Sequence, residues 1–192
     1  MKILAIDTTA VTATAAVAEI SGGRLLSYSL QSVKNKLTHS QTLMPMIDGA
    51  LKLFGTDIDG VDRIAASAGP GSFTGVRIGI ATVKGLAFGK KPCCGVSSLA
   101  ALALNAAVEG FIVCPVMDAR RDQFYNALFC SSQRLTPDRC ISAAELEAEL
   151  LAYKTPVIVN GDGAELFASL CSELKPLLAP PCALYQNALY VA

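Results

Sequence analysis

Lys2-Ile3-Leu4-Ala5-Ile6-Asp7, followed by Thr8-Thr9, is answered later in the chain by Phe111-Ile112-Val113-Cys114-Pro115-Val116-Met117-Asp118, followed by Ala119-Arg120-Arg121. Each is a short apolar run of the kind that forms a buried strand, and each ends in an aspartate at a turn. A returning strand follows in both places, Val11 to Ile20 in the first and Asp122 to Cys130 in the second. The two aspartates stand 111 residues apart, so one pattern is written twice.

Outward from the first copy, Ser21-Gly22-Gly23 turns into a third strand, Arg24 to Leu30. A polar stretch from Ser32 to Thr38 leads to a helix from about Ser40 to Phe54, with Pro45 near its start. A buried strand from Arg63 to Ala68 runs into Gly69-Pro70-Gly71-Ser72-Phe73-Thr74-Gly75, and a helix continues to about Phe88. Pro92 to Val96 is a short strand, and Ser97 can cap the Ala/Leu-rich helix after it. In the second half, Ser142 and Glu145 form a capping box that opens a helix to Tyr153. Val157-Ile158-Val159 is a buried strand, and Asn160-Gly161-Asp162-Gly163 delivers it into a helix from Ala164 to Leu174. Strand–turn–strand units followed by βα steps, in tandem, predict an α/β chain with mixed sheets: a duplicated RNase H-like, actin-like ATPase fold. The expected halves are 1–100 and 101–192.

Composition narrows the function. Sixteen basic and sixteen acidic residues cancel, which offers no electrostatic footprint for nucleic acid or anionic membrane. Charged residues are 17% of the chain, against about 25% in a typical domain, so part of the apolar surface is expected against a partner. Seven cysteines without C-x-x-C spacing fit reduced thiols in the cytoplasm better than a disulfide framework or a zinc site. The single histidine, His39, excludes every metal site needing two imidazoles. No serine stands in G-x-S-x-G, and no run reaches the ~20 apolar residues of a membrane-spanning helix.

Two motifs carry chemistry or imitate it. Glycines at 69, 71 and 75, with Ser72, lie between a strand and a helix, where a backbone can approach a phosphate. No lysine and hydroxyl follow the last glycine, so a tight turn without ligand reads the residues equally well. Asp7 and Thr8, with Asp118 in the second copy, stand where an actin-like ATPase places a metal-linked carboxylate; the plainer reading is an Asx-type turn. His39 reads as an exposed residue flanking the first helix.

Gly69-Pro70-Gly71-Ser72-Phe73-Thr74-Gly75-Val76-Arg77-Ile78-Gly79 resembles the hallmark of the bacterial TsaB family, also called YeaZ. Ile6-Asp7-Thr8-Thr9, His39-Ser40-Gln41-Thr42-Leu43-Met44-Pro45, Gly95-Val96-Ser97-Ser98-Leu99 and Val116-Met117-Asp118-Ala119-Arg120 follow in the family's order, and Gly161-Asp162-Gly163 extends the match. The resemblance implies a subunit of the machinery that makes threonylcarbamoyladenosine in tRNA. It pairs with the catalytic paralogue TsaD and with the ATPase TsaE, or with a second copy of itself, and meets tRNA only through the complex. Catalytic relatives carry a metal-holding His-x-x-x-His pair, and the matching positions here are Ser98 and Leu102, neither a useful ligand. No cofactor is therefore expected on this chain, with ATP and metal on the partners. An autonomous nucleotide-dependent enzyme using Asp7, Asp118 and the glycine loop is the alternative, and a glycoprotease-like peptidase is a weaker one. After Tyr185 the chain departs from the family by stopping where relatives continue through another helix, so a shortened second half is expected.

The first two helices look like an interface. At 100° per residue, the apolar positions of 40–54 fill about half the circumference, more than the ~100° stripe that faces one core. Between Val76 and Phe88 only Arg77 and Lys84 are charged, while Val76, Ile80 and Val83 make one apolar face and Ile78, Ala81 and Gly85 lie opposite. Leu43, Met46, Ile47, Leu51, Val76, Arg77, Ile80, Val83 and Lys84 are the expected partner-binding residues, with burial under the chain's own second half as the competing explanation. On this assignment Ile47→Asp or Ile80→Asp abolishes association.

Overall fold

The computed structural model describes residues 1–35 and 38–192, so residues 36 and 37 of the expected polar stretch lie outside the described residues. Contacts divide the chain into two compact units: Met1–Ser98 together with Gln186–Ala192, and Leu99–Tyr185. The sequence pattern placed everything beyond residue 100 in the second half. Gln186–Ala192 instead belong to the first unit, because the 3-10 turn Ala188–Tyr190 packs on its sheet and buries Ala188 and Val191.

The first unit runs β1 (Lys2–Asp7), β2 (Ala13–Ser21), β3 (Arg24–Val33), α1 (His39–Phe54), β4 (Arg63–Ser67), α2 (Phe73–Ala87) and β5 (Cys93–Val96). Its sheet has the order β3-β2-β1-β4-β5, with β1 antiparallel to β2 and parallel to β4. β1 is central and has no polar face to offer before Asp7, as a strand covered on both sides requires. Leu4 and Ile6 join Ala15, Val17, Ile64 and Ala66 in a core closed by Leu43, Met46, Ile47 and Ala50 of α1 and Val83 and Ala87 of α2. α1 opens at Thr38, whose backbone N–H donates to the Gln41 side chain (3.1 Å), and ends at Gly55 in the left-handed region (φ +78°).

The second unit opens within α3 (Ser98–Asn105) and continues through β6 (Ile112–Arg120), β7 (Gln123–Asn126), β8 (Phe129–Cys130), β9 (Gln133–Arg134), β10 (Arg139–Ser142), α4 (Ala143–Ala152), β11 (Val157–Asn160), α5 (Ala164–Leu170), β12 (Leu177–Leu178) and α6 (Pro181–Leu184). The path β10-β7-β6-β11-β12 through its seven-stranded sheet repeats the order of the first unit, with β8 and β9 added beside it. β6 takes the place of β1, again antiparallel to its successor and parallel to the strand after the helix. The expected strand Asp122 to Cys130 is broken. β7 pairs with β6 and β10, whereas β8 pairs with the start of β6 and with β9, and the buried pair Ala127-Leu128 makes the step between them. The helix expected to reach Leu174 stops at Leu170, since Cys171 adopts an extended backbone.

The capping box at Ser142 forms as its residues dictate, with the Glu145 carboxylate accepting from Ser142 N (2.9 Å). Two residues on, Glu147 does something its helical position does not announce. Its carboxylate accepts from the N–H groups of Leu174 (2.8 Å) and Glu173 (2.7 Å) and from Ser172 Oγ (3.2 Å), tying the chain after α5 to α4. Those backbone donors hold its pKa down at about 2, from an ordinary value of 4.5. A depressed carboxylate pKa contributes stability that is complete above the unfolded value and is lost as pH falls through the folded one. Urea midpoints of the protein and of Glu147→Gln should therefore differ most above pH 4.5 and converge toward pH 2. A constant difference across that range would contradict the assignment.

Candidate functional site

At the end of β1, Asp7 is buried and its carboxylate is fully engaged. Thr9 donates to Oδ1 through its N–H (2.8 Å) and its hydroxyl (2.7 Å), and Ser67 Oγ donates to Oδ2 (2.5 Å). Burial raises its pKa, with the Ser67 and Thr9 hydrogen bonds pulling the other way. This is the Asx-type turn, secured from β4 by Ser67. The glycine loop is bound to the same turn: Ser72 N donates to Thr9 O (2.7 Å), Thr8 Oγ1 donates to Gly75 O (2.7 Å), and Gly75 N is capped by Ser72 Oγ (3.2 Å). A Cβ on Gly75 would strike the Thr8 carbonyl oxygen, and one on Gly79 would lie 2.8 Å from Thr8 Oγ1. The glycines thus let α2 lie against the β1–β2 turn. Asp7, Thr8, Gly69, Gly71, Ser72 and Gly75 are brought together as expected, but as a turn-and-helix clamp. A buried, fully hydrogen-bonded carboxylate of raised pKa does not fit a metal-bound nucleotide.

The second unit repeats the clamp with different residues. Asp118 Oδ1 accepts from Arg120 N (2.7 Å) in another Asx-type turn. Gly163 N donates to Val116 O (3.1 Å), and a Cβ on Gly163 would lie 2.9 Å from Asp118 N. Asp162, between the close-packed glycines, is pushed up to about 6 by burial first and by the Asp118 charge in addition.

His39 is the first residue of α1 and half-buried, where the sequence suggested an exposed flanking position; its Nε2–H donates to Ala10 O (2.6 Å). It braces the β1–β2 connection, and among the described residues no carboxylate is hydrogen-bonded to its ring in the way that orients a catalytic imidazole. Ser98 and Leu102, at the positions matching the metal ligands, are both buried. Among the described residues no group of three His, Cys, Asp or Glu could hold a metal ion.

The helix pair needs a correction. Leu43, Met46, Ile47, Leu51 and Val83 are core residues of the first unit, with Ile47 only 2% exposed. Val76 and Ile80 are half-buried, and of the expected partner-binding set only Arg77 and Lys84 are exposed. The apolar arc of α1 is wide because its own sheet and α2 cover it, leaving Met44 and Leu53 outside. On α2 the outward stripe is Phe73 (68% exposed), Arg77, Ala81 and Lys84, and Phe88 (83% exposed) caps the end of the helix just beyond it. The Arg77 guanidinium stacks 3.7 Å from the Phe73 ring centroid. Phe73 and Phe88 were legible only as helix-end residues.

A family model described as TsaD, tRNA N6-adenosine threonylcarbamoyltransferase, matches residues 33–156. The tRNA threonylcarbamoyladenosine biosynthesis protein TsaB of Bacillus subtilis is 30% identical over 179 residues, which are 91% of this chain and 76% of that protein. The chain belongs to the TsaB family. The Escherichia coli TsaB is 37% identical over 128 residues, and the match spans 65% of this chain and about half (53%) of that relative. YeaZ from Pseudomonas aeruginosa superposes with a TM-score of 0.80 at 26% identity, covering 99% of this chain and 88% of that one. The duplicated actin-like fold is shared more distantly with a ROK hexokinase from Thermus thermophilus (TM-score 0.51, 13% identity, 99% and 98% covered).

Two variants test the placement of these residues. Gly75→Ala must displace the Thr8 turn and should cost about 1–3 kcal/mol of stability, with Gly85→Ala, which meets open space, as its control. Ile47→Asp should now unfold the first unit, because the carboxylate enters a closed apolar core. A folded Ile47→Asp protein by circular dichroism would return that residue to the surface.

Proposed function

We propose that this chain is a non-catalytic subunit in the synthesis of threonylcarbamoyladenosine in tRNA, and that it pairs with and supports a TsaD-like transferase. The observation that carries this reading is the outward stripe of α2: exposed Phe73 at its start and Phe88 capping its end bracket Arg77, Ala81 and Lys84, on a helix locked in place from behind by the Thr8 clamp. Exposed phenylalanine and arginine are residue types enriched at interface centres rather than on a solvated helix face. The names of the TsaB relatives support the process. The TsaD family model, whose match includes α1 and α2, supports a paralogue as the partner. The ATP and metal then reside on the TsaD-like and TsaE-like partners, tRNA is met only through the assembled complex, and the assembly works in the cytoplasm. No helix among the described residues is long and apolar enough to cross a membrane.

An autonomous nucleotide enzyme would need Asp7 to face a metal, and its three hydrogen bonds and burial speak against that. A peptidase would need the one imidazole, which is held on Ala10 O. With Mg²⁺ and ATP, the purified chain should stay far below the ~1 s⁻¹ of an ordinary slow enzyme. Co-purification with a TsaD-like relative tests the pairing. Ala81→Arg, on an exposed position, should leave folding intact and weaken association by ~2 kcal/mol, roughly 30-fold, or more. Lys52→Asp, which disturbs only an exposed pair with Asp48, should leave association unchanged. Undiminished binding by Ala81→Arg would remove α2 from the interface.

A further inference from the structure

From Arg63 to Val108 the chain holds five basic residues, Arg63, Arg77, Lys84, Lys90 and Lys91, and no acidic one. α2 lies in the middle of that stretch, so a chain of zero net charge keeps one helix that is purely cationic. Arg77 and Lys84 are seven residues apart on it. That spacing is two turns, roughly 10 Å, and brings both within about 20° of the same direction. Both are exposed, and among the described residues neither makes an ion pair. The helix dipole accounts for Lys84 in the last turn, but Arg77, in the second, gains nothing from it. The charges nearby are already engaged. Lys91 Nζ donates to Asp59 O (3.0 Å) and Val61 O (2.6 Å), Asp57 Oδ1 accepts from Gly60 N (2.9 Å), and Asp48 of α1 pairs with Lys52 (2.7 Å).

Two such faces can meet about a two-fold axis in two ways. With the helices antiparallel about Ala81, Arg77 comes beside the second copy's Lys84; with the helices parallel, Arg77 meets Arg77 and Lys84 meets Lys84. Both bring like charges together, and a two-fold contact requires a self-complementary patch. A phosphate backbone is a poor match for a different reason. Two cations release few counterions, and the exposed Phe73 ring under Arg77 adds apolar area that a phosphate chain does not cover. A helix with carboxylates two turns apart answers both charges. Ala81, and Gly85, where a Cβ would meet open space, leave room for it to lie close.

We infer that the partner presents an acidic helix to α2: carboxylates two turns apart pair with Arg77 and Lys84, and this charge pairing selects the transferase over a second copy of this chain. The inference rests on the pairing with a TsaD-like transferase proposed above and names the chemistry of the surface that docks. Charges placed in this way act on the rate of encounter and on the choice of partner, while the apolar contacts hold the complex once it has formed.

The test follows association of the full chain with the transferase by stopped flow as salt is raised. From about 50 to about 500 mM NaCl the association rate constant should fall about tenfold, because screening weakens the attraction between opposite charges. Arg77→Glu combined with Lys84→Glu should leave the chain folded, slow association about tenfold or more at low salt, and reverse the salt dependence. A carbodiimide joins an amine to a touching carboxylate as an amide, with loss of water. It should link Lys84 Nζ to an aspartate or glutamate of the transferase, located by peptide mapping. Binding that Phe73→Ala weakens, that neither salt nor the charge reversal alters, and that yields no Lys84 link would overturn the inference while the pairing stands. Absence of binding under every condition would overturn both. Displacement of the transferase by tRNA from the parent chain, but not from the reversed variant, would assign the face to RNA and overturn the inference as well. Should the reversed variant fail to fold, the salt dependence of the parent and the Lys84 link decide.

Discussion

The first unit depends on how closely α2 approaches the turn between β1 and β2. Thr8 is the contact point: its hydroxyl donates to Gly75 O, and its carbonyl occupies the space that a side chain at 75 would need. Hydrogen bonds from Ser72 N to Thr9 O and from Thr9 to Asp7 close the same knot, and Ser67 anchors it in β4. Three separated stretches of chain are therefore held by short, oriented bonds in a place where water is excluded, so each would be expensive to leave unmade. With the N-terminal end of α2 fixed in this way, the direction of its outward stripe is fixed as well.

The second unit uses the same solution with other residues. Gly161 and Gly163 lie against Val116 and Asp118, and Arg120 N completes the aspartate turn. Repetition of sheet order and of clamp is what a duplication leaves when the two copies keep their geometry and diverge in detail. In the first copy both the aspartate and the glycine loop bond to the protein itself. Asp7 satisfies its own turn, and the loop donates to the protein.

The surfaces that remain are apolar for a chain with few charges. Phe73 on α2, with Phe88 just past its end, and Leu26 and Tyr28 on β3 are exposed on different elements, a helix face and a sheet edge. A helix face offers side chains alone, while a sheet edge offers backbone groups whose spacing only another strand can match.

The order and type of the elements from β1 to α3, and of β6, α4, β11 and α5, followed from periodicity, capping residues and the repeated Asp-terminated strand, because those signals are local: a strand needs only its own alternation or apolar run, and a capping box only four residues. The short β9, β10, β12, α6 and closing 3-10 turn carried no such signal. The Asx turn at Asp7 was legible for the same reason. What the chain alone left undecided was direction. Periodicity shows how wide the apolar arc of α1 is, yet Leu43, Met46, Ile47 and Leu51 could be assigned to a partner because nothing local says on which side the sheet lies. The return of Gln186–Ala192 to the first unit, the break between β7 and β8, and the grip of Glu147 on residues 172–174 were likewise hidden. Each is a contact between residues distant in sequence, chosen by which apolar areas and backbone donors the assembled sheets leave uncovered, and that choice exists only once the sheets have formed.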